Sequence, residues 1–256
     1  MQFVWGISVS HYKESYRSYI DRHSTHKLNY GQQLIQSSMD SCKYTILDEF
    51  PRCVGKTTAV TQYIEWEFLH SPTPLNFHVS PHLLERYGME YFEKLRAHTC
   101  KNNTWIHTNT GSKIIPYRDS IDNILSNNSI PHVIFIDIKF NMDKFIPIHD
   151  AIESMKGRRY TSYKSTYLDY YPSTRGFEPE DIDYTETTYD GARYIITAQY
   201  AHEVVKYLLS KNVDEDNIGY ITEDSFAGVT GYNGEYRTYY NKYNSNFCPP
   251  TYPYPP

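Results

Sequence analysis

Apolar residues in this chain fall into two spacings. Short runs rich in β-branched and aromatic residues, at 44–47, 75–79, 133–136, 192–197 and 218–221, have the length and composition of buried strands. Between them, apolar residues recur at helical intervals. Leu34, Ile35 and Met39 precede the first run; Val60, Ile64 and Phe68 follow it; Leu84, Tyr87, Tyr91 and Leu95 follow the second. Ile148, Ile152 and Met155 follow the third, and Ala201, Val204, Val205, Leu208 and Leu209 follow the fourth. Punctuation agrees: Pro72 and Pro74 stop a helix that begins at Thr57, Ser80-Pro81 supplies an N-cap and a first-turn proline, and Gly157 is available as a C-terminal cap. Strands and helices alternating in this way imply an α/β fold with a mostly parallel central sheet covered by helices.

Smaller features fit around that frame. Trp105–Thr108 and Lys113–Ile115 flank Asn109-Thr110-Gly111-Ser112, whose glycine can take the positive φ a hairpin needs. A short helix is expected around Ser120–Leu125, and Tyr160–Tyr167 reads as the strand that follows the 145–157 helix. Residues 1–27 form an extension without a clear period, 28–222 the folded domain, and 223–256 a low-complexity C-terminal tail of Tyr, Asn and Pro, expected to be extended or flexible.

Composition narrows the function classes. The formal charge of −5 excludes a protein coated in basic surface, so contact with nucleic acid would be local. Lys156, Arg158 and Arg159 make the nearest basic cluster, read in preference as a solvated helix end. Cys42, Cys53, Cys100 and Cys248 have no paired spacing, and His23 and His26 lack a second ligand pair, so neither a disulfide framework nor a zinc site is indicated. No apolar run approaches the roughly 20 residues that span a bilayer. The 27 tyrosines suggest compositional bias or a sticky tail more than a mechanism.

The chemistry concentrates where the first strand, ending in Asp48-Glu49, runs into Phe50-Pro51-Arg52-Cys53-Val54-Gly55-Lys56-Thr57-Thr58. A glycine that lets backbone N–H groups turn inward, a lysine for the β- and γ-phosphates and a hydroxyl for magnesium make this a phosphate-binding loop, and the fold a P-loop NTPase. The full pattern has a glycine where this chain has Phe50. Downstream, Val133–Ile136 delivers Asp137 as a buried central strand would, the position from which an acid holds magnesium with the loop hydroxyl. Asp48 and Glu49 sit too close to bound phosphates unless they point away or pair with Arg52. A glutamine on the helix before the loop can make paired hydrogen bonds to an adenine edge or simply be solvated.

The order of these features resembles the large terminase subunits of tailed bacteriophages and herpesviruses, ATPases that pump viral DNA into a preformed capsid. The resemblance spans Leu28 to Tyr167: Arg52 falls where that family keeps an arginine ahead of its Gly-Lys-Thr/Ser, and Gln33, within Gln32-Gln33, where it keeps an adenine-contacting glutamine. Val79-Ser80 and Asn109–Ile114 resemble its intervening segments, and Ser165-Thr166 its coupling motif. The resemblance implies ATP and Mg2+ as cofactors, with Pro51, Arg52, Cys53, Val54, Gly55, Lys56, Thr57 and Thr58 around the phosphates. It implies catalytic roles for Arg52, Lys56 and Asp137, and metal ligation by Thr57 and Asp137. Partners by resemblance are double-stranded DNA, a portal, a small terminase subunit and further copies in a homo-oligomeric ring, in the host cytoplasm and transiently on the procapsid.

Two departures qualify the likeness. Ile138 stands where the family places the glutamate that positions the attacking water, so either hydrolysis is very slow or another acid substitutes, Asp143, Asp150 and Glu153 being nearest in sequence. Residues 168–256 are too short and polar for the nuclease domain such motors carry. The alternatives are a catalytically weakened nucleotide-binding or interaction protein of the same fold, and another P-loop enzyme of helicase-like or kinase-like type.

Overall fold

The computed structural model describes residues 28–50, 52, 54–71, 73–81, 97–99, 104–107, 111–118, 120–124, 130–136, 140–163 and 184–226. Helix α1 (Tyr30–Ser41) leads into β1 (Tyr44–Asp48), α2 (Lys56–His70) and β2 (Asn76–Val79). Strands β3 (Ala97–Thr99), β4 (Trp105–His107) and β5 (Lys113–Pro116), the single turn α3 (Ile121–Ile124), β6 (Val133–Ile136) and α4 (Met142–Glu153) follow. The chain continues through β7 (Arg159–Tyr163), β8 (Tyr184–Thr188), β9 (Arg193–Ala198), α5 (Ala201–Ser210) and β10 (Ile218–Ile221) to a 3-10 turn at Glu223–Phe226. Among the described residues no helix is long and apolar enough to cross a membrane.

The main sheet has eight strands in the order β10-β1-β9-β6-β2-β5-β4-β3. From β10 to β5 every pairing is parallel. The expected hairpin is the antiparallel β4–β5 pair, which continues the sheet at its edge, and Gly111 between them has φ 71°. Helices α1 and α2 cover one face, packing Ile35, Met39, Ala59, Val60, Ile64 and Phe68 on Leu47, Phe77, Phe135 and Ile195. Helices α4 and α5 cover the other, packing Phe145, Ile148, Ile152, Val204 and Leu208 on Ile46, Ile134, Tyr194 and Ile196. Strands buried on both faces have no solvent side to make polar, which is why β6 is apolar at every position. Helix α4 ends at Glu153 with Ser154 as its C-cap, so Gly157 is not the cap its position suggested; it takes φ 80° three residues further on, in the turn that leads to β7.

One strand falls elsewhere than expected. The 160–167 segment provides β7, which pairs antiparallel with β8 in a separate two-stranded sheet; the strand beside β6 is β9. The residues account for the difference. Arg159, Thr161 and Ser162 leave no continuous apolar run to bury on two faces, whereas Tyr194-Ile195-Ile196 does. The helix expected after Ser80-Pro81, the histidines His23 and His26, and residues 164–183 lie outside the described residues. Glu223–Phe226, grouped with the tail by composition, carries a fully buried Phe226 that belongs to the first core.

His132 fastens the small sheet to the large one. Its Nδ1 accepts the Asn76 N–H at 3.0 Å, which places its proton on Nε2, 2.6 Å from the Tyr160 hydroxyl. Burial, reinforced by nearby cationic groups, pushes His132 down to about 4 from 6.5. Between these two values the unfolded chain binds the proton and the folded one does not, so stability falls as pH falls through that window, by up to about 1.4 kcal/mol per pH unit. His132→Asn retains an acceptor for Asn76 but does not titrate. Urea denaturation of the two proteins from pH 7 to 4 should show a shallower pH dependence in the variant; parallel curves would mean that His132 titrates alike in both states.

Candidate functional site

The fold creates a crevice before any side chain is considered. After β1 the chain crosses through α2 on one face towards β2; after β9 it crosses through α5 on the opposite face to β10, beyond β1. Neighbouring parallel strands whose crossovers leave in opposite directions open a gap at their C-terminal ends, the usual ligand position in such sheets. The 49–55 loop starts there, with Glu49 N–H still bonded to Ala198 O at 2.9 Å.

At the end of the loop Gly55 adopts φ 84° and ψ 18°, a left-handed conformation directly before helical Lys56. That alternation turns successive N–H groups towards one point. Gly55 caps α2 without a side chain, so the positive end of a 15-residue helix faces the loop. Lys56 is buried, its Nζ donating to Glu49 O at 2.9 Å and lying 5.5 Å from the centre of the Phe226 ring. Thr57 and Thr58 are half-buried in the first turn of α2, and Val54 is buried.

Both acids before the loop are engaged. The Glu49 carboxylate pairs with Arg52, whose guanidinium also stacks 5.0 Å from the Phe50 ring. Asp48 accepts the Tyr220 hydroxyl at 3.0 Å. Burial raises the Asp48 carboxyl above its usual range, opposed by Tyr220, the Glu223 backbone, Lys56 and His202. Pointing away and pairing with Arg52 are the two arrangements that make acids compatible with an anion here.

Helix α1 reaches the loop through its N-cap. Asn29 and Gln32 form a capping box, and their amide nitrogens donate to Val54 O and Gly55 O, each at 3.2 Å. Gln33, the residue matched to adenine recognition, is exposed, its Nε2 donating to Leu28 O at 3.0 Å. The glutamine that meets the loop is therefore Gln32, and the signal for it was present: Asn followed three residues later by Gln, ahead of an apolar helix.

Pro51, Cys53, Asp137, Ile138, Ser165 and Thr166 lie outside the described residues. Strand β6 ends at Ile136, paired with Ile196 of β9. Thr197, buried and paired with Leu47, is the penultimate residue of the strand that separates β1 from β6. Sequence reasoning passed over it, since only the strand order places it between the loop and the acid-bearing strand. Of the substitute acids, Glu153 is held by Lys43 and Lys156 and Asp150 by Lys211, at the edge where the strands begin. Asp143, exposed in the first turn of α4, is on the side where they end. The basic residues Lys156, Arg158 and Arg159 are also at the starting edge, remote from the crevice.

Phe226, fully buried, lies beneath the Lys56 ammonium and against α1. A methyl group at Gly31 of α1 would overlap its ring. Gly31→Ala should therefore destabilise the fold by about 1–3 kcal/mol through overpacking. In a double-mutant cycle read by urea denaturation, the penalty should shrink when Phe226 is also Ala, because the two sites share one contact. Additive effects would show that α1 and the 223–226 turn are not in contact.

Compared with models of protein families, with curated proteins and with solved structures, the chain gives no match in any of the three.

Proposed function

We propose that the chain is a P-loop protein that binds a nucleoside triphosphate at the β1–α2 loop. The observation that carries this reading is left-handed Gly55 followed by buried Lys56 at the start of α2, at the C-terminal end of β1 beside the crossover switch. Converging N–H groups, a helix N-terminus and a lysine are together the chemistry that holds a polyphosphate. The Glu49 carbonyl and the Phe226 ring face are contacts of Lys56 that phosphate oxygens could replace. Residues fitting a metal are Thr57, in the first turn, and Asp137; magnesium, when bound, would neutralise charge on the phosphates.

Within that class the reading is a terminase-like ATPase of a viral DNA-packaging motor, coupling hydrolysis to translocation of double-stranded DNA. It rests on the resemblance of the ordered motifs. Arg52 would leave Glu49 to meet transferred charge. In the coupling role Thr197 stands as an alternative to Ser165 and Thr166, since it lies one residue before the C-terminal end of β9, the strand between β1 and β6. Ring assembly, portal and small-subunit contacts belong to the same proposal. The second reading, a nucleotide-binding protein with little hydrolysis, is favoured by Ile138 after Asp137.

The test is binding and magnesium-dependent hydrolysis of ATP by the full chain and by Lys56→Ala, with and without duplex DNA. Loss of one charge-assisted contact, worth about 1.5–3 kcal/mol, should weaken ATP binding by roughly tenfold to a hundredfold. Unchanged affinity in Lys56→Ala would rule out the phosphate site. Hydrolysis abolished by Lys56→Ala would support the motor, and binding without hydrolysis the second reading. Duplex DNA affinity should fall steeply as salt rises; absent or salt-independent binding would count against the DNA-motor reading.

A further inference from the structure

We infer that Asn29 and Gln32 are positioning residues for phosphate recognition, holding the carbonyls of Val54 and Gly55 so that the Gly55 and Lys56 N–H groups face the ligand. The inference rests on the proposed triphosphate site and deepens it.

Each of the two amides works at both ends. Asn29 Oδ1 accepts Gln32 N–H at 2.8 Å and Gln32 Oε1 accepts Asn29 N–H at 2.9 Å, which caps α1. Asn29 Nδ2 and Gln32 Nε2 then donate outward to the two consecutive loop carbonyls. Capping alone needs only oxygen, and Ser or Thr with Glu would supply it. The donors distinguish Asn and Gln, and the loop is what uses them.

The consequence follows from peptide geometry. In a trans peptide the C=O and the following N–H point in opposite directions. Anchoring Val54 O therefore turns Gly55 N–H away from α1, and anchoring Gly55 O does the same for Lys56 N–H. Gly55 is required twice over, for its positive φ and because a Cβ there would collide with Gln32 Nε2. The Gln32 amide has already placed one donor and its acceptor, so the paired contact that reads an adenine edge would have to displace the clamp. The ligand feature governed here is the phosphate chain, and the base is left unread by this glutamine.

Asn29→Ser and Gln32→Glu each keep a capping oxygen and remove the donor to the loop; the first adds no charge. Binding of ATP, GTP and inorganic triphosphate to the full-length protein, each with magnesium, is measured alongside the melting temperature. Each variant should keep a melting temperature close to wild type and lose affinity for all three ligands by the same factor, about three- to tenfold for one neutral hydrogen bond. A loss confined to ATP would overturn the inference by making Gln32 a base reader. Equal affinities in wild type and both variants would also overturn it, leaving the amides as helix caps. If wild type binds and Lys56→Ala does not, either result leaves the phosphate site standing; wild type that binds no triphosphate removes both.

Discussion

The structure depends on two adjacent parallel strands, β1 and β9, that must both be covered on both faces. Parallel pairing forces each strand's successor to arrive by a crossover, and covering two faces forces those crossovers apart. Helix α2 leaves β1 on one side of the sheet and α5 leaves β9 on the other, so the backbone divides where the strands end. The crevice is thus a consequence of topology. Gly55 and Lys56 exploit it, but the same tripeptide on an outer strand would have a helix end and no cleft to face.

Much of this architecture was readable because burial on both faces writes itself into sequence as apolar runs. β1, β6 and β9 were legible for that reason, and α2 for its terminating prolines and helical spacing. Strand order was not legible, since it depends on pairing between distant segments whose partners no local pattern names. Ser165-Thr166 follows β7 in sequence, whereas the strand lying between β1 and β6 is β9, which carries Thr197 one residue before its end. The choice between Gln32 and Gln33 is a matter of helical phase: adjacent residues point about 100° apart, and only the cap at Asn29 fixes which one faces the loop.

The tyrosines had no visible purpose in sequence, and in the described core they have one. Tyr44 and Tyr194 stack at 5.0 Å on the second face, and Tyr44 and Tyr207 hydroxyls bracket buried His149 at 2.9 and 3.1 Å. Tyr63 reaches Met39 O and Arg193 on the first face. A phenol gives the burial of phenylalanine with a hydroxyl that must find a partner, so it fixes orientation as well as filling space. Burial keeps the Tyr44, Tyr63 and Tyr194 hydroxyls well above their ordinary range and hence neutral. The Tyr44–His149–Tyr207 group ties α4 and α5 to the sheet at the edge where β1 begins.

The loop's own pairings bear on the anion site proposed above. An ion pair as exposed as Arg52–Glu49, half of the Arg52 side chain being in solvent, contributes about 0–1 kcal/mol. It keeps the carboxylate off the crevice at small expense and surrenders the arginine readily. Asp48 is held differently: it accepts the Tyr220 hydroxyl, and burial raises its carboxyl above the usual range. Lys56 donates to the Glu49 carbonyl and lies over the Phe226 ring, and its charge opposes the effect of burial on the Asp48 carboxyl. An anion bound at the proposed site would compete with the Glu49 contacts of both cations, a backbone carbonyl for Lys56 and a partly exposed carboxylate for Arg52.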